Sequence, residues 1–175
     1  KTDSVVSMSN LVSNSGVVAS DVSGVGTARN YLAAAEYGVD KAIFGYGSTG
    51  SNVSLTNLVN SSGVIASDVS GVGTARKELG AAGYAKAIFA YCYTSSVVSM
   101  SNLVNSSGVV ASDVTGVGSA RESLAAAGYD RDKAIFAYGY ISAVSSLSNL
   151  VSNSGVVASD VSGVGSARNG LSATG

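Results

Sequence analysis

Short segments in which apolar and polar residues alternate recur along the chain, and one stretch contains the whole pattern. Residues 53–59, VSLTNLV, alternate with a period of two, which predicts a half-buried strand. The NSSG of residues 60–63 predicts a hairpin turn, and the short, β-branched residues 64–69 predict a second strand. Gly71 and Gly73 then predict a bend, because glycines separate the segments of this chain and proline is absent from it.

The next two segments complete the pattern. Residues 75–84, ARKELGAAGY, contain good helix formers, so propensity alone allows a short helix. Gly80 and Gly83 leave room for no more than about two helical turns, and we therefore favour a strand whose small side chains let neighbouring strands come close. The KAIFAY that begins at Lys86 alternates again and predicts a further strand.

These segments recur in four repeat units. The first glycine of each GVG marks a unit, and successive markers are 47, 45 and 47 residues apart. The markers are Gly24, Gly71, Gly116 and Gly163. The passages between them are nearly identical, which predicts one geometry for all units. A period of this length is typical of propellers and solenoids, so we expect residues 1–175 to form a single repeat domain.

One passage carries a resemblance to a known family. GTARNYLAAAEYGVDKAIFGYG, from Gly26, resembles the inner strand, turn and second strand of kelch repeats, and the resemblance covers essentially the whole chain. The chain departs from kelch repeats where their paired glycines become Tyr46 and Gly47, and in having no tryptophan. The resemblance implies an all-β propeller of about four four-stranded blades; an open solenoid is the alternative. The chain is also similar to tandem KAIFGYG and NLVSN repeat proteins of marine phages, which implies a virion or fibre component.

The kelch order implies an incomplete closing blade. In that order the innermost strand starts near Arg29, and the strands that follow outwards start near Lys41, Val53 and Val64. Residues 4–12 then correspond to a third strand and residues 168–175 to an innermost strand, with no KAIF strand between them. Either the chain is part of a longer protein, or another copy fills the gap, or the ring closes imperfectly. An unpaired edge of this kind predicts self-association or a larger assembly.

The composition of the chain excludes several classes of function. The chain is 46% hydrophobic and 12% charged, its net charge is -1 and its pI is about 5.2, so we expect no nucleic-acid partner. No apolar run is long enough to predict a membrane span. Because histidine is absent and Cys92 is the single cysteine, the sequence excludes Ser-His-Asp and Cys-His catalysis, an intramolecular disulfide and the usual cysteine-rich or imidazole metal sites, and no cofactor is expected. Cys92 is best interpreted as a small buried side chain.

Two repeated sets of residues are candidate sites. The first comprises one aspartate and one arginine per unit, which could line a channel and bind an ion; a structural charge pair, or a carboxylate that caps the GVG turn, is the favoured interpretation. These residues are Asp21, Asp68, Asp113 and Asp160, with Arg29, Arg76, Arg121 and Arg168. The second set is Tyr46, Tyr91 and Tyr138, which could stack on sugars, although core packing is favoured.

We therefore predict a non-enzymatic structural or binding propeller. Its Ser- and Asn-rich, weakly charged composition favours the surface of a virion or an extracellular location. A glycan-binding, lectin-like propeller is the alternative, and an enzyme that uses the aspartates is the second alternative. The fold alone does not choose among them.

Overall fold

A computed structural model describes residues 4–83 and 85–175, and this part of the chain is all-β. Its strands form three antiparallel, three-stranded sheets in chain order. Sheet 1 contains β1 (Ala33–Tyr37), β2 (Lys41–Gly45) and β3 (Thr56–Val59). Sheet 2 contains β4 (Gly80–Gly83), β5 (Ala87–Tyr93) and β6 (Val97–Val104). Sheet 3 contains β7 (Ala125–Tyr129), β8 (Lys133–Ala137) and β9 (Ser148–Val151).

The strands predicted in residues 53–59, in residues 75–84 and from Lys86 are confirmed, with different bounds. Residues 75–84 contain the strand Gly80–Gly83 and no helix, while Tyr84 lies outside the described residues. Among the residues that are described, no helix has the length or hydropathy needed to cross a membrane.

The segment of residues 64–69 and its copies differ from their prediction, because they form isolated bridges and not a continuous strand. In unit 1, Val59 pairs with Ile65 and Thr56 pairs with Val69. Val59 lies three residues after Thr56, whereas Val69 lies four residues after Ile65. The segment beside β3 therefore has one extra residue, which forms a β-bulge. The same offset recurs beside β6, beside β9 and in the hairpin of residues 9–22.

The first strands of neighbouring sheets lie next to one another, where small residues permit close approach. β1 contacts β4, and β4 contacts β7. A Cβ placed on Gly83 would lie 2.1 Å from the carbonyl oxygen of Glu36, and one on Gly128 would lie 2.9 Å from that of Gly83. A Cβ on Gly175 would lie 1.8 Å from the carbonyl oxygen of Gly128, so the end of the chain continues this row beside β7. The backbone contact explains why these strands consist of alanine and glycine.

A ladder of backbone hydrogen bonds joins the units just before their first strands. The N–H of Glu78 donates to the carbonyl of Tyr31, that of Ser123 to Glu78, and that of Gly170 to Ser123. All four residues have positive φ, between 51° and 65°. Each backbone therefore turns so that its own N–H and C=O can bond to different neighbouring units.

The second strands supply most of the core. Residues 87–92 of β5 are buried on both faces, because sheets 1 and 3 cover the two faces of sheet 2. Phe89 packs edge-on against Tyr46 of sheet 1, at 5.3 Å between ring centroids, and Phe136 packs in the same way against Tyr91, at 5.5 Å. Such edge-to-face pairs add to the stabilisation that apolar burial gives.

The sequence prediction of about four blades is only partly matched. The all-β class is confirmed, but the described sheets have three strands each and do not close into a ring. The hairpin of residues 4–22 lies beside sheet 1, with Leu11 against Gly63, as Leu58 lies against Gly108. The fourth unit contributes only residues 163–175, which lie beside sheet 3.

Candidate functional site

The repeated arginines and aspartates form one polar cluster in each sheet. In sheet 2, Arg76 is completely buried, donates to the side-chain oxygen of Asn102, and lies 3.3 Å from a carboxylate oxygen of Asp113. The other carboxylate oxygen of Asp113 accepts hydrogen bonds from the backbone N–H and the hydroxyl of Thr74, at 2.9 and 2.7 Å. Asn102 donates to Asp113 at 2.9 Å and so completes the network.

We call this network the arginine cluster, and it recurs with the same four positions. Each cluster combines a Thr or Ser and an Arg from the segment that begins with GVG, an Asn from the third strand, and the Asp that follows the bulge. The copies are Thr27, Arg29, Asn57 and Asp68; Thr74, Arg76, Asn102 and Asp113; and Ser119, Arg121, Asn149 and Asp160. The Arg–Asp distances are 3.6, 3.3 and 3.8 Å.

The bulge explains how the cluster assembles. Asn57 donates to the carbonyl of Ala66 at 3.1 Å as well as to Asp68 at 2.8 Å, so its side chain takes the place of a missing backbone pair. Asp68 thereby faces Thr27, which lies 41 residues earlier in the chain. The cluster ties the beginning of a unit to the outermost segment of the same sheet.

Each carboxylate of the three clusters is held in its charged form. Hydrogen bonds from Thr27 lower the pKa of Asp68. Burial alone would raise the pKa of Asp113 and that of Asp160, but the hydrogen bonds that each accepts outweigh it, so both pKa values lie below their ordinary range. These carboxylates therefore remain charged hydrogen-bond acceptors and are unsuited to acting as general acids near neutral pH.

The arginines also stack on tyrosines, and here the partner comes from the preceding unit. The guanidinium carbon of Arg76 lies 3.7 Å from the centroid of the Tyr46 ring, and that of Arg121 lies 4.2 Å from the centroid of Tyr91. The third pair is Arg168 over Tyr138, at 3.9 Å. A cation above the ring face is favourable, and more so when both groups are desolvated. The pairs therefore hold neighbouring units together.

The predicted sugar-stacking surface is not formed by Tyr46 or Tyr91. Both rings are fully buried, and their hydroxyls donate to the carbonyls of Val72 and Val117, at 3.1 and 2.9 Å. Burial raises the pKa of both phenols. Tyr138 is partly exposed, but Arg168 covers its ring face. The tyrosines are therefore placed for packing between units.

The aspartates do not converge on an ion site. Asp68, Asp113 and Asp160 each lie in a separate cluster. Asp21 is exposed and accepts a hydrogen bond from Asn10 at 2.8 Å. Within residues 4–83 and 85–175, no three Asp, Glu, Cys or His side chains gather closely enough to hold a metal ion.

Cys92 is buried in the core of sheet 2. Burial raises the pKa of its thiol to about 12. The thiol is therefore protonated at neutral pH and is a poor nucleophile.

Sequence reasoning missed the asparagines and hydroxyl residues of the clusters. Asn102 and Asn149 are fully buried, although the strands that contain them were predicted only from their pattern of apolar residues. A signal was available, because an asparagine recurs before Leu-Val in every unit and is costly to bury without partners.

Comparison with protein-family models and with curated protein sequences found no match to this chain.

Proposed function

We propose that the chain is a non-enzymatic repeat scaffold of the kelch-like propeller type that serves as a structural or binding module. The observation that supports this proposal is that the repeated charged residues form hydrogen bonds and ion pairs within each sheet. In three successive sheets, Arg, Asp, Asn and Thr or Ser bond to one another. Polar residues committed in this way stabilise an architecture and do not supply chemistry.

Strand order and spatial neighbours support the propeller form of the proposal. The strands of each sheet follow chain order, as in a propeller blade. A cavity of about 430 Å³ is lined by the first strands of all three sheets and by residues 173–175, as expected around a propeller axis. Closure of the ring would add the hairpin of residues 4–22 and residues 163–175 to one further blade.

A location on a virion or outside a cell is part of the proposal. It is supported by the weakly charged composition and by the similarity of the KAIFGYG and NLVSN motifs to phage repeat proteins. Mass spectrometry of purified particles, compared with the soluble fraction of the same cells, tests this location. Recovery in the soluble cell fraction alone would contradict it.

Deletion of one unit tests the scaffold. Removal of residues 71–115 takes out a whole period, from one GVG to the next. If the sheets depend on ring closure, the shortened chain will form no compact monomer and will lose its cooperative unfolding transition. A sharp transition retained by a compact monomer would instead favour an open solenoid. Circular dichroism during thermal unfolding, combined with sedimentation velocity, distinguishes the two results.

A further inference from the structure

The outermost segment of each sheet has one backbone edge without partners. In sheet 1 the N–H of Ala66 donates to the carbonyl of Leu58 in β3. Consecutive residues of an extended segment direct their backbone groups to opposite sides, so the neighbours Ile65 and Ser67 direct theirs away from the sheet. Within residues 4–83 and 85–175, neither the N–H nor the carbonyl of Ile65 or of Ser67 takes part in a hydrogen bond.

The same edge recurs in all three sheets. We call residues 64–70, 109–115 and 156–162 the outer edges, and their sequences are VIASDVS, VVASDVT and VVASDVS. The counterparts of Ile65 and Ser67 have no backbone partner in the described part of the chain either. They are Val110, Ser112, Val157 and Ser159. The molecule therefore presents three nearly identical rows of free donors and acceptors.

The side chains of the outer edges do not protect them from pairing. Each edge presents two valines that are between 48% and 64% exposed. They are Val64, Val69, Val109, Val114, Val156 and Val161. The edges contain no Lys, Arg, Glu or Pro, and the carboxylate of Asp68 faces Arg29 at 3.6 Å within its own sheet. Charged side chains, especially lysine, and proline are what usually prevent exposed edges from pairing.

An outer edge is complementary to a second copy of itself. If two edges run antiparallel with their Ala66 residues opposite each other, Ile65 of one copy faces Ser67 of the other. Residues that face each other in this way exchange two hydrogen bonds, so the two facing pairs form four. The alanine at the centre is small, and no like charges are brought together. A different protein would have to supply a matching segment, whereas each copy of this chain carries three.

We infer that the outer edges pair antiparallel with the outer edges of further copies of this chain, so that a sheet continues from one molecule into the next. Because each chain has three such edges, one copy can bind several neighbours and the assembly extends beyond a dimer. This inference names the partner for the structural role proposed above and rests on that role, but it does not require closure of the sheets into a ring.

Sedimentation velocity of the full chain tests whether a second copy binds. Over about a hundredfold range of protein concentration, the mean mass should rise past that of a dimer and should fall again on dilution. A chain that stays monomeric at every concentration would overturn the inference. If the same chain also unfolds in one sharp transition, the proposed scaffold stands and self-association alone fails.

Lysines at the centres of the outer edges test where the copies meet. In the proposed pairing each central alanine faces its own copy, so the lysines place like charges directly opposite each other. The concentration needed for assembly should rise about tenfold or more. The substituted residues are exposed, and they are Ala66, Ala111 and Ala158.

The matched control adds the same charge away from the outer edges. It carries lysines in the exposed loops between second and third strands, at Thr49, Ser95 and Ser142. This variant should assemble like the unmodified chain. Equal assembly of the two variants, whether both are weakened or both are unchanged, would overturn the outer edges as the interface.

Amide hydrogen exchange supplies a second test that needs no substitution. In the assembled protein the N–H groups of Ile65 and Ser67 should exchange about tenfold or more slowly than in the dilute protein, because they gain partners. The N–H of Ala66, which already bonds to Leu58, should change little and serves as the internal control. If the lysine variant fails to fold, this comparison decides. A rise in mass without protection of the outward amides would overturn the inference, as would protection that appears only when a different protein is added.

Discussion

The guanidinium carbon of Arg76 lies 3.7 Å from the centroid of the Tyr46 ring, although the two residues belong to different repeat units. Arg76 follows the second GVG, and Tyr46 follows the second strand of sheet 1. The same guanidinium bonds to Asn102 and to Asp113 within sheet 2. One side chain therefore contributes both to the stability of its own sheet and to the contact between two sheets.

Replacement of Arg76 by methionine should lower the free energy of unfolding by about 3 kcal/mol, because it leaves the buried Asn102 oxygen without a donor and Asp113 without its cation. Urea unfolding followed by circular dichroism measures the difference. Arg168→Met is the matched control, since Arg168 is exposed and stacks on Tyr138 without a cluster of its own in the described residues. Equal losses in the two variants would contradict a special role for the buried cluster.

Stability should decline in acid because of the cluster aspartates. The pKa values of Asp68, Asp113 and Asp160 are lowered by folding, so their contribution is complete above the ordinary carboxyl value and is lost as pH falls through the folded values. The free energy of unfolding should therefore be nearly constant from about pH 7 to pH 5 and fall below about pH 4.

Asp113→Asn tests this origin of the acid sensitivity. The variant should be less stable at neutral pH, because the amide nitrogen replaces one carboxylate oxygen and cannot accept the hydrogen bonds of that oxygen, whether from Thr74 or from Asn102. Its stability should then fall less steeply below about pH 4. Asp21→Asn, at the exposed counterpart, serves as the control. A slope below pH 4 that Asp113→Asn leaves unchanged would assign the acid sensitivity to other groups.

The buried tyrosine hydroxyls should contribute measurably to the free energy of unfolding. Tyr91→Phe removes the bond to the carbonyl of Val117 and should cost about 1 kcal/mol, since that acceptor loses its partner in a part-buried site. Tyr138→Phe removes the equivalent bond to Val164, where solvent can replace it, and should cost less. Paired denaturant curves of the two variants make the comparison, and a larger loss for Tyr138→Phe would contradict it.

Cys92 should resist thiol reagents in the folded protein. With a pKa of about 12, roughly one thiol in ten thousand is ionised at pH 8, and the side chain is also buried. A colorimetric disulfide reagent should therefore react slowly in buffer and release one equivalent of product in urea. Fast reaction of the native protein would place the thiol at the surface.

The order of secondary structure was predictable because the repeat pattern is strong. KAIFAY predicted β5, and the glycines of residues 75–84 correctly favoured a strand over a helix. The alternation in KAIFAY predicted a strand but not how much of it is buried. The strand is buried on both faces, because the first strands are small enough to let neighbouring sheets approach.

Pairing within the clusters was not predictable from spacing along the chain. Asp68 and Arg76 are eight residues apart in sequence, yet Asp68 pairs with Arg29 and Arg76 pairs with Asp113. The difference arises from the bulge beside β3, which turns Asp68 towards the start of its own sheet. Bulges depend on the register between strands, and a single sequence carries little information about register.

The span of the arginine cluster also bears on how such a chain can change in length. Thr27 and Asp68 stand near the two ends of one period, and the stacking of Arg76 on Tyr46 is repeated at the next boundary by Arg121 on Tyr91. Insertion or loss of a whole period recreates these local contacts at both junctions, so it changes only the number of sheets, whereas a break inside a period also separates an aspartate from its arginine. Duplication in register is thus the change of length that keeps every arginine cluster and every stacked pair intact.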